Sequence, residues 1–200
     1  MENRCWKIDT SKSDSNRENL QWCIKSLGWK EISKEDQECD LIWYAFNDPG
    51  NFADIKAKMI NKFPGMKTLA NKVPLTKCLS RMRKLFPDLY DFYPKSWYLP
   101  QQYDIFVDYF LSKSSNSAPW YIAKPDDGAR GENILLFDRI EDLSMARASQ
   151  VVQEYVKNPL LIDGRKFDFR IFVLIENLNP LILHIGKNGI ARFCTSLYEK

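Results

Sequence analysis

From residue 119 onward, short apolar runs alternate with polar turns, and this pattern restricts the second half of the chain to a strand-rich structure. Runs of this length between glycine, proline and asparagine turns are typical of β-strands. The pattern predicts strands over 119–124, 134–137, 151–156, 167–176, 180–186 and 189–195, with a helix over 140–149. Because strands and a helix alternate here, the sequence predicts a mixed α/β fold.

A glycine-bearing loop, residues 126–133, joins the first two predicted strands. Glycine reaches positive φ and lets a backbone approach a ligand closely, and successive N–H groups in such a loop form an anion site. Lys124 at the strand end and Arg130 at the loop tip add positive charge for a polyphosphate. No Gly-Lys-Ser/Thr follows, so the loop is not a Walker A loop. Spacing alone leaves an ordinary surface hairpin as the alternative.

The first half of the chain predicts a smaller lobe followed by helices. A strand at 5–8, an apolar helical stripe ending at Gly28 and a strand at 40–46 predict a small α/β lobe. Further helices are predicted over 52–60, 71–86 and 101–111. The proline-punctuated segment between the last two is predicted to be a loop whose aromatic side chains pack on the core.

Bulk composition excludes several classes of protein. The 200 residues are 44% apolar and 28% charged, as in a soluble globular chain, and no apolar run approaches the ~20 residues that span a bilayer. The net charge of +3 is too small to indicate nucleic-acid binding. Five scattered cysteines form neither a zinc pattern nor a disulfide framework, and the single histidine, His184, is expected to be structural. Without a signal-peptide apolar region at its start, the protein is expected to be intracellular.

A set of short motifs in one fixed order is much more specific than the loop alone. They are Lys124-Pro125, Arg130-Gly131, residues 153–156, residues 158–164 and residues 166–170. In this order the motifs resemble the tubulin–tyrosine ligase-like family, a branch of the ATP-grasp ligases. Further segments that resemble the family are residues 63–66, 81–84, 92–100 and 189–193. The resemblance runs from about residue 60 to the last residue.

The resemblance implies a fold of the α/β (α+β) class with an ATP-grasp-like arrangement. A small N-terminal α/β lobe would occupy residues 1–60, and a helical, aromatic-rich connecting region residues 61–118. Residues 119–200 would be the nucleotide-binding strands of the central lobe and part of the C-terminal lobe. The family places its Mg²⁺-binding carboxylates and asparagine further along, so we expect those ligands beyond residue 200 and interpret the chain as the front part of a ligase.

The resemblance assigns nucleotide contacts to residues on three segments. Lys124 would contact the phosphates, with Arg130 and Gly131 in the loop that covers them. The adenine hinge would be formed by Gln153, Glu154, Tyr155 and Val156. Further cofactor-binding residues would be Lys166, Phe167 and Asp168.

Spacing within the last segment adds a prediction about side-chain direction. Lys166 and Asp168 lie two residues apart, so on a strand they share one face, while Phe167 and Phe169 would pack into the core. Arg170 continues the first face toward a phosphate or an acyl phosphate. The alternative is a surface Lys–Asp pair, which contributes little stability.

By resemblance, the substrate side of the site includes a downstream arginine and a basic helix. Arg192 matches the family arginine that binds the carboxylate of the incoming amino acid, for which a bidentate guanidinium is suited. A basic cluster on the predicted helix over 71–86, together with Arg130, would receive an acidic peptide; the cluster is Lys77, Arg81, Arg83 and Lys84. The alternative for that cluster is a solvated helix face.

The loop departs from the family pattern at two neighbouring positions. The family usually has a second glycine where this chain has Asn133, and often a basic residue where it has Glu132. Asparagine tolerates the left-handed region better than most residues, so the loop is expected to form with reduced mobility.

The resulting hypothesis is an ATP- and Mg²⁺-dependent ligase that adds glutamate to glutamate side chains of tubulin through an acyl phosphate. Its partners would be tubulin or microtubules, bound by their acidic C-terminal tails, and free glutamate, with no nucleic acid and no membrane. We expect a monomer in the cytoplasm and cytoskeleton, with the cilium or basal body as a further location. Two alternatives stay open: a non-catalytic module that binds tubulin or nucleotide, and a fragment that does not fold stably alone.

Overall fold

The computed structural model describes residues 5–13, 16–32, 39–45, 50–113, 119–128, 131–143 and 148–199. Backbone contacts divide the chain into two compact units, Met1–Leu75 and Thr76–Lys200. The helices are α1 (Arg17–Leu27), α2 (Lys67–Ala70), α3 (Lys72–Leu85) and α4 (Tyr103–Ser112). The strands are β1 (Lys7–Asp9), β2 (Lys30–Ile32), β3 (Leu41–Ile42), β4 (Met59–Ile60), β5 (Ser96–Leu99), β6 (Tyr121–Pro125), β7 (Leu135–Phe137), β8 (Gln150–Glu154), β9 (Leu161–Ile162), β10 (Arg165–Arg170), β11 (Val173–Leu178), β12 (Leu181–Ile185) and β13 (Ile190–Phe193). The mixed α/β class is confirmed, and the three-region division at residues 60 and 118 stays a prediction.

The first unit is built on a parallel sheet with the strand order β2-β1-β3-β4. Ile8 of β1 and Ile32 of β2 are buried, as is Ile24 on the inner side of α1. Helix α1 ends at Gly28, which has a φ of 66° and closes the helix with a hydrogen bond from its N–H to the Lys25 carbonyl. This αL cap confirms the predicted end of the helix.

The second unit is built on an antiparallel sheet with the strand order β5-β8-β6-β7. Alternate residues of its strands pack against α4 and form the main core, with Phe106 and Phe110 from the helix meeting Tyr121 from the sheet. Trp97 of β5 and Phe137 of β7 complete the cluster of aromatic rings. Side chains of the intervening residues therefore point to the other face of the sheet.

Two smaller sheets follow in the second unit. Strand β10 pairs with β9 and β13, and β11 pairs with β12 as a separate hairpin. Most apolar side chains of these strands are exposed, including Phe169 at 66% and Ile185 at 71%. The prediction that Phe167 and Phe169 pack into the core is therefore wrong for Phe169: it and Phe167 form a ring cluster with Phe193 on one side of β10.

Several predicted elements differ from the structure. Residues 52–60 are a 3₁₀ turn (Phe52–Asp54) and strand β4 rather than a helix. The predicted strand over 167–176 is two strands, β10 and β11, because Ile171 and Phe172 are not in extended strand pairing. The predicted helix over 140–149 begins as a 3₁₀ turn, Ile140–Asp142, and residues 144–147 lie outside the described residues. The proline-flanked segment predicted as loop contains β5, the edge strand of the larger sheet in the second unit.

Candidate functional site

The face of the β5-β8-β6-β7 sheet opposite α4 carries two of the polar residues that the sequence singled out, Lys124 and Gln153. Alternation on β6 puts Tyr121 and Ala123 in the core and sends Lys124 to this face. The same alternation on β8 puts Val152 in the core and turns Gln153 to the same side as Lys124. The sheet thus presents a polar centre on the face that the aromatic core does not occupy.

Lys124, Gln153 and Ser96 form one hydrogen-bonded row across three strands. In register, Ser96 lies directly opposite Gln153, and Lys124 lies opposite Val151, so Lys124 and Gln153 are diagonal neighbours. The Lys124 ammonium donates to Gln153 Oε1 at 2.9 Å, and Gln153 Nε2 donates to Ser96 Oγ at 2.8 Å. Gln153 is only 6% exposed. Two of the predicted residues, Lys124 and Gln153, are therefore in direct contact.

The side chains of the segment predicted as the adenine hinge, residues 153–156, point in different directions. Glu154 points away from Lys124, because its carboxylate accepts a hydrogen bond of 2.7 Å from the Tyr109 hydroxyl behind the sheet. The backbone N–H of Tyr155 donates to the Trp120 carbonyl, which holds the end of β8 beside β6. Val156 is exposed. The side chain of Glu154 is therefore not in the same cluster as Lys124, although both were predicted to bind the nucleotide.

Lys166 reaches the hinge from β10. Its ammonium donates to the Tyr155 hydroxyl at 3.1 Å and lies 4.7 Å from the centre of that ring. Burial alone raises the pKa of the Tyr155 phenol, but the hydrogen bond from Lys166 and the positive charge of Lys166 act against it, and the pKa is lowered. Lys166 and Tyr155 therefore form a second pair among the predicted residues.

A cavity of about 430 Å³ opens beside this second pair. Its walls include Trp120, Leu136, Tyr155, Asn158 and Tyr198. The Tyr198 hydroxyl donates to the Lys157 carbonyl at 2.8 Å, which holds the segment after β13 at the rim. An apolar floor with aromatic walls and a few polar groups is the usual composition of a site for a flat heterocycle.

Asp168 is paired with Arg192. The two residues lie opposite each other on β10 and β13, and the guanidinium donates from Nε at 2.7 Å and from Nη2 at 2.6 Å to the two carboxylate oxygens. The hydrogen bonds from Arg192 lower the pKa of the Asp168 carboxyl, helped by the charges of Arg192 and Arg170. Alternation along β10 places Lys166, Asp168 and Arg170 on one side of the strand, as predicted. Asp168 is thus joined to Arg192, while Lys124 bonds to Gln153.

The glycine-bearing loop is described on both sides of its tip. Gly131 has a φ of 82° and Asn133 a φ of 55°, so asparagine adopts the left-handed backbone at the position where a second glycine was expected. Arg130 lies outside the described residues.

The basic residues of α3 occupy different environments. The Lys77 ammonium lies 4.8 Å from the centre of the Tyr98 ring, and Arg83 Nη2 donates to the Asp91 carbonyl at 2.9 Å. Arg81 and Lys84 are exposed. Arg83 and Lys84 also line a cavity of about 410 Å³ together with Tyr90, Tyr93 and Lys95.

The sequence of this chain matches a family model and several known proteins. The sequence model of the tubulin-tyrosine ligase family matches residues 52–200. This chain belongs to that family. It is 38% identical over 205 residues to tubulin polyglutamylase ttll-11 of Caenorhabditis elegans, covering 98% of this chain and 29% of the relative. It is also 38% identical over 201 residues to tubulin polyglutamylase TTLL11 of Homo sapiens, covering 96% of this chain and 28% of the relative.

A third similar protein comes from a further organism. The chain is 42% identical over 141 residues to a probable beta-tubulin polyglutamylase of Tetrahymena thermophila, covering 70% of this chain and 12% of the relative. This chain therefore spans less than a third of the length of the curated relatives it matches.

The described residues of the site suit a nucleotide but do not form a metal site. Lys124, Lys166 and the aromatic cavity beside Tyr155 match the needs of a nucleotide, which carries anionic phosphates and a flat base. Within the described ranges, no group of three or more histidine, cysteine, aspartate or glutamate side chains is placed to hold a metal ion. We therefore assign no Mg²⁺ ligand among the described residues.

Sequence reasoning missed three residues that shape the site. Ser96 lay in a segment predicted as loop, although the alternation of Ser96-Trp97-Tyr98-Leu99 between prolines is a short-strand signal. Tyr109 and Tyr198 were missed because each acts through a contact with a residue more than 40 positions away in sequence.

Proposed function

We propose that this protein is an ATP-dependent ligase that adds glutamate to glutamate side chains of tubulin. The observation that carries the proposal is the contact of Lys124 with Gln153 on the polar face of the sheet, together with the Lys166–Tyr155 pair and its cavity directly after β8. The names of the relatives, tubulin polyglutamylases, supply the substrate. ATP would supply the phosphoryl group that turns the acceptor carboxylate into an acyl phosphate, and attack by the amine of free glutamate would release phosphate and form an amide.

In this proposal the lysines bind the nucleotide. Lys124 attracts the phosphates with its positive charge, and the Gln153 amide that accepts its hydrogen bond adds no negative charge of its own. Lys166 holds the Tyr155 ring in place at the wall of the cavity, where the base would lie. Backbone groups of the hinge from Gln153 to Val156 and the face of β10 with Phe167 and Asp168 complete the proposed nucleotide site.

Arg192 is the proposed ligand for the carboxylate of incoming glutamate. Its guanidinium is held flat by two hydrogen bonds to Asp168, which fixes the direction of its remaining N–H donors. Arg170 stands on the same side of β10 and would stabilise charge on the phosphoryl oxygens as they transfer. These roles, like those of Arg130 and Gly131 in the covering loop, rest on the family pattern.

The basic side of α3 is the proposed docking place for the acidic tail of tubulin. The residues are Lys77, Arg81, Arg83 and Lys84, and the cavity beside Arg83 adds Lys95. A cluster of cations steers a polyanionic peptide and raises its rate of encounter. The protein would act as a monomer on the cytoskeleton, in the cytoplasm or at a cilium or basal body, without nucleic acid or membrane. Among the described helices, none has the length and apolar character needed to cross a bilayer.

A transfer assay tests the proposal. Radiolabelled glutamate, ATP and Mg²⁺ are incubated with tubulin and the purified protein, either wild type or Lys124→Ala. We expect incorporation with the wild type and a loss of at least a hundredfold with Lys124→Ala, since charged contacts to a reacting phosphate are typically worth this much. The matched control is Lys187→Ala, which removes an exposed lysine from a turn.

Two outcomes would contradict this proposal, one for the role of Lys124 and one for the ligase activity itself. Equal incorporation by the wild type and Lys124→Ala would remove the proposed role of the lysine. No incorporation by the wild type, with retained binding of tubulin, would favour the non-catalytic module instead. A third measurement, Arg83→Ala, should raise KM for tubulin with little change in kcat if α3 is the docking surface.

A further inference from the structure

We infer that Ser96 is a positioning residue for the nucleotide site: it sets the orientation of the Gln153 amide, and through that amide it orients the Lys124 ammonium as a ligand for phosphate. The identity of the ligand, a nucleotide, rests on the proposed function. The relay, which is the series of hydrogen bonds from Ser96 through Gln153 to Lys124, rests on the geometry. Ser96 lies on the edge strand β5, within the family-like segment 92–100, but the resemblance assigns it no role in the site.

The relay has a defined direction that begins at a carbonyl. The Ser96 hydroxyl donates to the Pro94 carbonyl at 2.7 Å. Because a hydroxyl has a single hydrogen to donate, its oxygen can only accept from Gln153. Gln153 Nε2 lies 2.8 Å from that oxygen and supplies the hydrogen. The amide oxygen is then left facing Lys124, from which it accepts at 2.9 Å.

Reversing the Gln153 amide would break both contacts. Its Nε2 hydrogens would meet the ammonium of Lys124, and its oxygen would meet an oxygen of Ser96 that has no hydrogen left to give. Gln153 is 6% exposed, so water cannot easily replace the lost hydrogen bonds. Ser96 therefore selects one of the two orientations of the amide.

A neutral acceptor suits a lysine that must bind an anion. A carboxylate in place of Gln153 would form an ion pair with Lys124 and cancel most of its attraction for phosphate. The amide oxygen orients the ammonium and leaves its net charge unchanged. This explains why an amide, kept in one orientation, stands between Ser96 and Lys124 on this sheet face.

The register of the sheet makes the relay possible. Strand β5 pairs with β8 so that Ser96 lies directly opposite Gln153, although the two are 57 residues apart in sequence. Trp97 and Leu99, the alternate residues of β5, are buried in the core and fix the rotation of the strand. Ser96 is thereby held within hydrogen-bonding distance by packing on the opposite face.

The first test compares ligands with and without phosphate. Binding of a fluorescent ATP analogue and of adenosine is measured for the wild type, Ser96→Ala and Ser96→Thr, with Ser112→Ala as the matched control because that serine bonds only within its own helix turn. We expect Ser96→Ala to weaken ATP binding about tenfold, the loss of one hydrogen bond to a charged group. Adenosine binding should stay within about twofold, and Ser96→Thr, which keeps the hydroxyl, should restore ATP binding.

A second variant separates orientation from charge. Gln153→Glu keeps the size of the side chain and places a negative charge beside Lys124, so ATP binding should fall further than in Ser96→Ala, while adenosine is again little affected. A loss of ATP and adenosine together in Ser96→Ala would indicate general disruption of the sheet and would overturn the inference.

A third arm works without any nucleotide. The rate at which acetic anhydride acylates Lys124 is followed by mass spectrometry in the wild type and Ser96→Ala. Loss of an ordered acceptor destabilises the ammonium form, so acylation at fixed pH should be faster by about threefold or more. An unchanged rate would overturn the relay. A faster rate in a protein that does not bind ATP would keep the relay and reject the proposed function.

Discussion

At the scale of single residues, Tyr121 buries a hydroxyl without a hydrogen-bond partner among the described residues, which lowers the stability of the fold. It is fully buried at the centre of the aromatic core, and among the described residues its hydroxyl has no hydrogen-bond partner. Burial, with a contribution from the charge of Glu154, raises the pKa of Tyr121 to about 12, so the phenol stays neutral. An unsatisfied buried hydroxyl costs about 1–3 kcal/mol.

Removing that hydroxyl should not harm the protein. We expect Tyr121→Phe to leave the free energy of unfolding unchanged or to raise it by about 1 kcal/mol. The control is Tyr109→Phe, which deletes a hydroxyl that donates to Glu154 and should destabilise by about 1–3 kcal/mol. Denaturant unfolding of the two variants measures the difference, and equal losses would contradict the assignment of Tyr121 as unsatisfied.

A buried threonine in the first unit predicts a pH dependence. The Thr10 hydroxyl donates to Glu31, and this contact is the largest cause of the lowered pKa of that carboxyl, with Gln21 and Arg17 adding to it against burial. A depressed carboxyl pKa contributes stability above its unfolded value, and this contribution is lost as the pH falls through the folded value.

Thr10→Val should therefore destabilise the protein by about 1–3 kcal/mol at pH 7 and by less at pH 3, where Glu31 is protonated in the unfolded chain. Urea unfolding at the two pH values checks this. Thr195→Val, at an exposed position, serves as the control and should show no such pH difference. A loss that is equal at both pH values would remove Glu31 from the explanation.

At the scale of elements, helix α1 depends on the glycine that ends it. Gly28 has a φ of 66°, and a Cβ built there would meet no atom within 4 Å. The cost of a side chain is therefore backbone strain alone. We expect Gly28→Ala to destabilise by about 1 kcal/mol and Gly28→Asn by less, because asparagine enters the left-handed region more easily. Thermal unfolding compares the two variants, and equal effects would contradict this account.

The elements also show where sequence patterns succeed and where they fail. Helix α1 with its Gly28 end and strand β6 ending at Lys124 follow from local periodicity and turn residues. The helix predicted over 52–60 fails because Met59 and Ile60 pair with Leu41 and Ile42 in a sheet, and this tertiary pairing outweighs a weak helical pattern. Strand β5 was predicted as loop because prolines flank it, although the alternation over Ser96–Leu99 is a local strand signal.

The site was predictable to the extent that function follows from residue type. Lys124 was found from its place at the end of a predicted strand, beside a glycine-bearing loop, whereas Gln153 was found only through the family resemblance. The direction of Glu154 follows from the one-residue step along β8, which reverses the face of the sheet, but the resemblance placed all four hinge residues together. Ser96 and Tyr109 could not be found because their roles depend on three-dimensional pairing alone.

At the scale of the whole molecule, the strands after residue 170 carry an exposed apolar surface. Leu181, Leu183 and Ile185 lie on one side of β12, and all three are exposed. We expect the chain to bind the dye ANS through this surface and Leu183→Lys to reduce the fluorescence. Leu89→Lys, which changes an exposed leucine outside these strands, is the control. Undiminished fluorescence in Leu183→Lys would place the dye elsewhere.

The pairing of β5 with β8 also has a consequence for synthesis on the ribosome. Ser96 leaves the exit tunnel well before Gln153, 57 residues later, and translation of that interval takes roughly three to ten seconds. During this interval Trp97 and Leu99 have no strand to pair with, although both are enclosed in the finished protein. The nascent chain must therefore be shielded from its neighbours until β8 emerges, and slowing translation between these strands should increase its capture by holdase chaperones.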